Sequence, residues 1–226
     1  MEKSRFKEKK FADNRIDYVS NLINPKRTDK ILNIGVSNIP EIEIKIENKI
    51  SECWTLDLDK EKIKKAEGYT KKTKYLYGDI YDKSLLKNKK FDKAVMLEVL
   101  EHLKYDLDAL KRINSSLKIG GELIISVPND NLLHIINPVK YTQHERHYSN
   151  EMIKKVLHDA GFKIIDFNIV ENFSLLANLY IHLFFKYILR KQRNFLTFKK
   201  SSGKTYKQYN KNGLDIIIKA EKISEC

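Results

Sequence analysis

Short apolar runs alternating with helical stretches of about a dozen residues constrain this chain more than any other feature. The runs are KILNI (30–34), ECWTLDL (52–58), KYLY (74–77), FDKAVML (91–97), ELIISV (122–127) and the stretch 162–170. Helical patterns lie between them over 60–66, 106–117 and 149–160, with a further short helical run over 98–103. Such alternation implies βαβ units, a mostly parallel sheet and helices on both faces. A seventh strand, 214–220, follows a long connection instead of a crossover helix and is expected to insert antiparallel. Local signals set the boundaries. Lys118-Ile119-Gly120-Gly121 stops one helix, Pro128 halts a strand, and Ser149 and Gly161 read as the N-cap and C′ residues of another helix. Upstream, the apolar spacing of Phe11, Ile16, Val19, Leu22 and Ile23 predicts a helix packed on the domain and ended near Pro25. The expectation is one domain over 1–226. It comprises an N-terminal helical extension (1–29), a core (30–170), an insertion (171–213), and a last strand with its tail (214–226).

Charge narrows the partners. Forty-three Lys plus Arg against 30 Asp plus Glu give a formal net charge of +13 and a pI near 9.4. That excess favours anionic partners such as nucleic acid, anionic lipid or phosphorylated substrates. Residues 172–214 carry nine Lys or Arg and no Asp or Glu. This basic stretch opens with FSLLANLYIHLFFKYIL (173–189), which is apolar nearly all round. Its 17 residues are short for a membrane span, and Asn178, His182 and Lys186 argue against one. An apolar helix with a basic flank suits a lid over a site, a dimer face, peripheral membrane contact through 173–200, or an RNA backbone. Cys53 and Cys226 fit neither a CxxC pair nor a zinc spacing, which points away from a disulfide framework or zinc ribbon. The segment MEKSRFKEKKFADNR lacks the apolar core of a signal peptide, so a cytoplasmic, or membrane-associated, location is expected.

Three features close successive strands, at the edge where an open α/β sheet binds ligands. Gly35, in Asn33-Ile34-Gly35-Val36-Ser37-Asn38, lets the backbone approach a ligand closely. Asp57, in TLDLD, presents a carboxylate suited to two ribose hydroxyls, and Asp79, in Gly78-Asp79-Ile80, one suited to an adenine amino group. In order, the NIGVSN, WTLDLD, YGDIYD, FDKAVMLEVLEHL and LKIGGELIISVPN stretches resemble the successive motifs of class I S-adenosylmethionine-dependent methyltransferases, over about residues 28–170. The resemblance implies a Rossmann-like, seven-stranded sheet with an antiparallel last strand. It also implies S-adenosylmethionine as cofactor and S-adenosylhomocysteine as product. Gly35 would line the methionine portion and Asp57, with Leu58 beside it, would hold the ribose. Asp79 and Ile80 would flank the adenine, and Leu97 and Glu98 would close the floor. The family's first motif, E/DxGxGxG, is reduced here to Asn33 and Gly35 alone, with Val36, Ser37 and Asn38 in the glycine-rich part.

The EVLEHL stretch carries chemistry of its own. On a helix, Glu98, Glu101 and His102 at i, i+3 and i+4 would share a face and form half of a Mg²⁺ or Mn²⁺ site, which His144 would complete. This pattern resembles the small-RNA 3′-terminal 2′-O-methyltransferases, and the same EVLEH occurs in ubiquinone-type O-methyltransferases. His144 and His147 are the candidate general bases, while His134, His158 and His182 suggest no role. No Asp/Asn-Pro-Pro-Tyr/Phe motif follows the fourth strand, which disfavours base-amino methylation in that style. The expected activity is therefore methyl transfer to an oxygen of a small-molecule, glycan or lipid-linked acceptor. The alternatives are a metal-assisted RNA 2′-O-methyltransferase and a non-catalytic binding protein of the same fold.

Overall fold

The computed structural model describes residues 16–129, 145–170 and 215–225. Seven strands form one sheet: β1 (Lys30–Ile34), β2 (Glu52–Asp57), β3 (Thr73–Tyr77), β4 (Phe91–Leu97), β5 (Leu117–Pro128), β6 (Phe162–Val170) and β7 (Asp215–Lys222). Their order is β3-β2-β1-β4-β5-β7-β6. β1 to β5 pair in parallel, and β7 lies antiparallel to both β5 and β6. The expected antiparallel last strand is thus present, wedged between its neighbours and not added at an edge.

Helices cover both faces, which explains why the central strands are apolar runs and not alternating patterns. The helices are α1 (within 16–23), α2 (Glu41–Ile46), α3 (Lys60–Glu67), α4 (Asp106–Ser116) and α5 (Asn150–Asp159). Side-chain alternation along β1 shows the division. Ile31 packs with Ile16, Val19 and Ile23 of α1 and with Ile42 and Ile46 of α2. Leu32 and Ile34 face the other way, into a cluster with Leu110 and Ile113 of α4 and Ile153 and Leu157 of α5. Ser149 caps α5 as expected, its side chain accepting from Met152 N, and Gly161 follows at φ +76.

Two buried lysines pin helix ends to the sheet. Lys93 of β4 donates to the carbonyls of Ile23 (2.8 Å) and Asn24 (2.9 Å) and pairs with Asp29 at 3.0 Å. Lys222 of β7 donates to the carbonyls of Asn114 (2.9 Å) and Leu117 (3.0 Å). Each supplies donors to carbonyls that a helix terminus leaves without intrahelical partners.

The structure corrects the sequence expectation at three places. α2 was not foreseen, because EIEIKI alternates with the period of a strand. Pro40 opens it as a helix, and Ile42 and Ile46, four apart, are buried together. β5 begins at Leu117, immediately after α4, so the Gly120-Gly121 stretch lies inside a strand. The run 98–103 is no α-helix: only a 3₁₀ turn, Leu100–His102, forms there. Phe11, Asp130–His144 and the apolar and basic segment 171–213 lie outside the described residues. Among the described residues, no helix is long and apolar enough to cross a membrane.

Candidate active site

The strand order reverses between β1 and β4, and the crevice beyond the carboxyl ends of those strands is where such sheets take ligands. Gly35 leaves β1 there at φ +86. A Cβ on Gly35 would lie 2.5 Å from Val99 Cγ2, in the turn that follows β4. The two loops of the switch point are therefore in contact through a glycine that needs both its conformational freedom and its missing side chain.

Asp57 ends β2, next to that loop. Its Oδ2 accepts from Val36 N at 2.6 Å and its Oδ1 from Asp59 N at 2.7 Å. The backbone ties the same strand ends together, with Gly35 N donating to Leu56 O (2.9 Å) and Gly78 N to Asp57 O (3.0 Å). A carboxylate has about four acceptor positions, so two N–H bonds leave capacity on both oxygens. Asp57 is only half-buried. One strand further out, Asp79 is exposed and accepts from Tyr81 N at 3.0 Å, while Ile80 is buried in the core. Leu58 is exposed and Leu97 partly buried.

Glu98 closes β4 in a left-handed conformation, φ +53. A reciprocal pair holds it: Glu98 N donates to Ser126 Oγ (3.2 Å), and Ser126 Oγ donates to Glu98 Oε1 (2.7 Å). Glu98 therefore precedes the 3₁₀ turn instead of sharing a helix face with Glu101 and His102. Glu101 is fully buried, whereas His102 is exposed, its Nε2 3.8 Å from Glu101 Oε1. The helical half-site expected from Glu98, Glu101 and His102 is not formed. Among the described residues, no three His, Cys, Asp or Glu side chains gather as a metal site. His144 lies outside the described residues.

Residues to which the sequence assigned no role build much of the surroundings. Asn33, where the family pattern has an acid, donates through Nδ2 to Gly35 O (3.0 Å) and to Oε1 of Glu43 in α2 (2.7 Å). Thr55 of β2 donates to the same Glu43 oxygen at 2.8 Å. Burial pushes the Glu43 carboxyl above the ordinary range against these bonds, and Glu47 nearby adds to the rise. On the far side of the edge, Asp106 at the start of α4 accepts from Tyr148 OH (2.9 Å) and pairs with Arg146. Arg146 also reaches Lys104 O at 3.1 Å, and Asn129 bridges to Tyr148 beyond β5. Burial raises the Asp106 carboxyl, but Arg146 and Tyr148 outweigh it and hold the group below the usual carboxylate range. These contacts anchor the half-buried His147 beside the carboxyl edge. Trp54 is half-buried against Phe91, with Lys74 and Lys89 ammonium groups 4.8 and 4.7 Å from its ring centroid.

The sequence profile of a methyltransferase domain family matches residues 16–166, and the chain belongs to that family. No curated protein sequence matches the chain. Solved structures share the fold over most of the chain. A Bacillus halodurans protein assigned as a methyltransferase superposes with TM-score 0.67 at 15% identity, covering 92% of this chain and 99% of its own. A Clostridium acetobutylicum S-adenosylmethionine-dependent methyltransferase gives 0.63 at 14% identity, covering 92% and 91%. The magnesium protoporphyrin IX methyltransferase of Synechocystis, with S-adenosylhomocysteine bound, gives 0.62 at 13% identity, covering 96% and 87%. The architecture is that of S-adenosylmethionine-dependent methyltransferases.

Proposed function

We propose that this protein transfers a methyl group from S-adenosylmethionine to an oxygen of a small-molecule, glycan or lipid-linked acceptor. The observation that carries the cofactor assignment is the Asp57 carboxylate, oriented by two backbone N–H groups yet retaining acceptor capacity beside the glycine of the β1–β4 switch point. When bound, S-adenosylmethionine supplies an electrophilic methyl group on a sulfonium sulfur. The chain's own residues bind and orient. Asp57 accepts the two ribose hydroxyls, and Leu58 covers them. Asp79 accepts the adenine amino hydrogen, and Ile80 lies beside it at the same strand end. Gly35 admits the methionine portion, above a floor of Leu97 and Glu98. Methyl transfer by in-line displacement depends chiefly on positioning, with a base needed only where the acceptor must lose a proton. His147, anchored through Arg146 and Tyr148, and His144 are our choices for that proton. The acceptor assignment is supported by the apolar sequence 173–189 and its basic flank, which suit an amphipathic acceptor at a membrane surface.

Calorimetric titration with S-adenosylhomocysteine tests the cofactor assignment. Asp57→Ala should weaken binding about 10–100-fold, the worth of losing hydrogen bonds to a charged acceptor. Equal affinity in wild type and variant would refute the assignment. For the acceptor, a methyl-labelled cofactor incubated with cell extract should deliver label to the chloroform–methanol phase. Label confined to RNA would overturn the lipid-linked reading.

A further inference from the structure

The carboxylate that the family's first motif carries on β1 is absent here, and a buried one from α2 stands against the same position. Glu43 is 1% exposed and its Oε1 accepts both from Asn33 Nδ2 and from Thr55 Oγ1. Asn33 and Thr55 sit opposite each other in the β1–β2 register, so one oxygen spans the two strands. The Asn33 amide has two N–H groups. With one committed to Glu43, the other faces the Gly35 carbonyl at 3.0 Å. That carbonyl belongs to the same peptide unit as Val36 N–H, which donates to Asp57 Oδ2 at 2.6 Å. The Gly35–Val36 peptide is therefore clamped at both ends, by Asn33 on its oxygen and by Asp57 on its nitrogen.

We infer that Glu43 is a positioning residue for the cofactor site: through Asn33 and the Gly35–Val36 peptide it sets the orientation of the Asp57 carboxylate, in place of an acid on β1. The inference rests on the cofactor reading given above. Without an acceptor at position 43, one N–H of the Asn33 amide loses its partner and the side chain is no longer held against the Gly35 carbonyl. The peptide then loses its anchor on the oxygen side, rotates, and Asp57 loses the N–H that aims Oδ2. The route needs an acceptor at position 43, not a charge.

The test is the affinity for S-adenosylhomocysteine of wild type, Glu43→Gln, Glu43→Leu and Asn33→Asp, each measured calorimetrically well below its own melting temperature. Glu43→Gln keeps an oxygen that accepts from both donors and should bind within about threefold of wild type. Glu43→Leu removes the acceptor and should weaken binding about tenfold, comparable with the loss of a hydrogen bond to a charged group. Asn33→Asp sets two carboxylates against each other and an oxygen against Gly35 O. Its affinity should be poorest near pH 8 and improve toward pH 6, where the pair shares a proton. A merely structural role would lower melting temperatures and leave all four affinities, and their pH profiles, alike. That result would overturn the inference, as would Glu43→Gln binding as weakly as Glu43→Leu. Wild type that does not bind S-adenosylhomocysteine would instead refute the underlying cofactor reading and the inference with it.

Discussion

Gly35→Ala is expected to destabilise the protein through two separable costs. An L-residue at φ +86 pays the left-handed penalty, about 1–2 kcal/mol. The added Cβ would also meet Val99 Cγ2 at 2.5 Å. Val99 is β-branched and cannot swing aside without leaving its preferred rotamer, so the overlap adds about 1–3 kcal/mol. The total is about 3 kcal/mol. For a chain of this length each kcal/mol moves the melting temperature by about 2–4 °C, giving a fall of roughly 6–12 °C. A double-mutant cycle with Val99→Ala separates the parts. Removing Cγ2 should recover the steric share, about 1–3 kcal/mol, and leave the backbone share in place. Urea unfolding monitored by circular dichroism reads all four proteins. A Gly35→Ala variant within about 0.5 kcal/mol of wild type would refute both costs, and zero coupling to Val99→Ala would refute the steric one.

Lys93→Met should cost about 3–5 kcal/mol in urea unfolding, because Asp29 is left buried without its ammonium partner and two carbonyls lose their donor; a loss under about 1 kcal/mol would contradict that account. The depressed Asp106 carboxyl gives a pH prediction with a definite sign. Its folded value lies below the unfolded one, so its stabilisation is fully present above about pH 4 and is lost as pH falls through the lower folded value. Asp106→Asn should therefore flatten the acid limb of melting temperature against pH, and an unchanged limb would remove Asp106 from the account. Burial pushes the Cys53 thiol up to about 12, so in a Cys226→Ser background a thiol reagent should label it only as the protein unfolds. Rapid labelling of the native protein would show the β2 core to be open.

The strand pattern was legible because the central runs, β1, β4 and the second half of β5, are apolar enough to be buried on both faces. The ends were legible where one residue sets the geometry, as Ser149 does by accepting from Met152 N. α2 was hidden because its two-residue alternation mimics a strand over six residues, too few for the helical period to show. Glu43 was hidden for a related reason. A glutamate in a charged segment ordinarily faces water, and only the β1–β2 register puts Asn33 and Thr55 beneath it. The Glu98, Glu101 and His102 spacing misled because it presupposed an α-helix. Glu98 instead takes a left-handed turn secured by Ser126, a partner 28 residues away. The placement of Asp57 and Gly35 at strand ends was readable because strand termini at a switch point follow from topology alone.

The place of β7 has a consequence for how the chain reaches this structure. Among the described residues, β6 pairs with β7 and with no other strand, and β5 meets β7 through contacts about a hundred residues apart in sequence, such as Leu123 with Ala220. Closing so long a loop is slow relative to local pairing. During synthesis, β1 to β5 can assemble first, leaving the apolar flank of β5 as an open edge until β7 arrives. That edge, with Leu123, Ile125 and Val127 on one face and Ile124 on the other, is the surface most prone to wrong pairing. The β5 edge is thus open from the translation of β5 until that of β7, and an unpaired apolar edge is where a nascent chain mispairs.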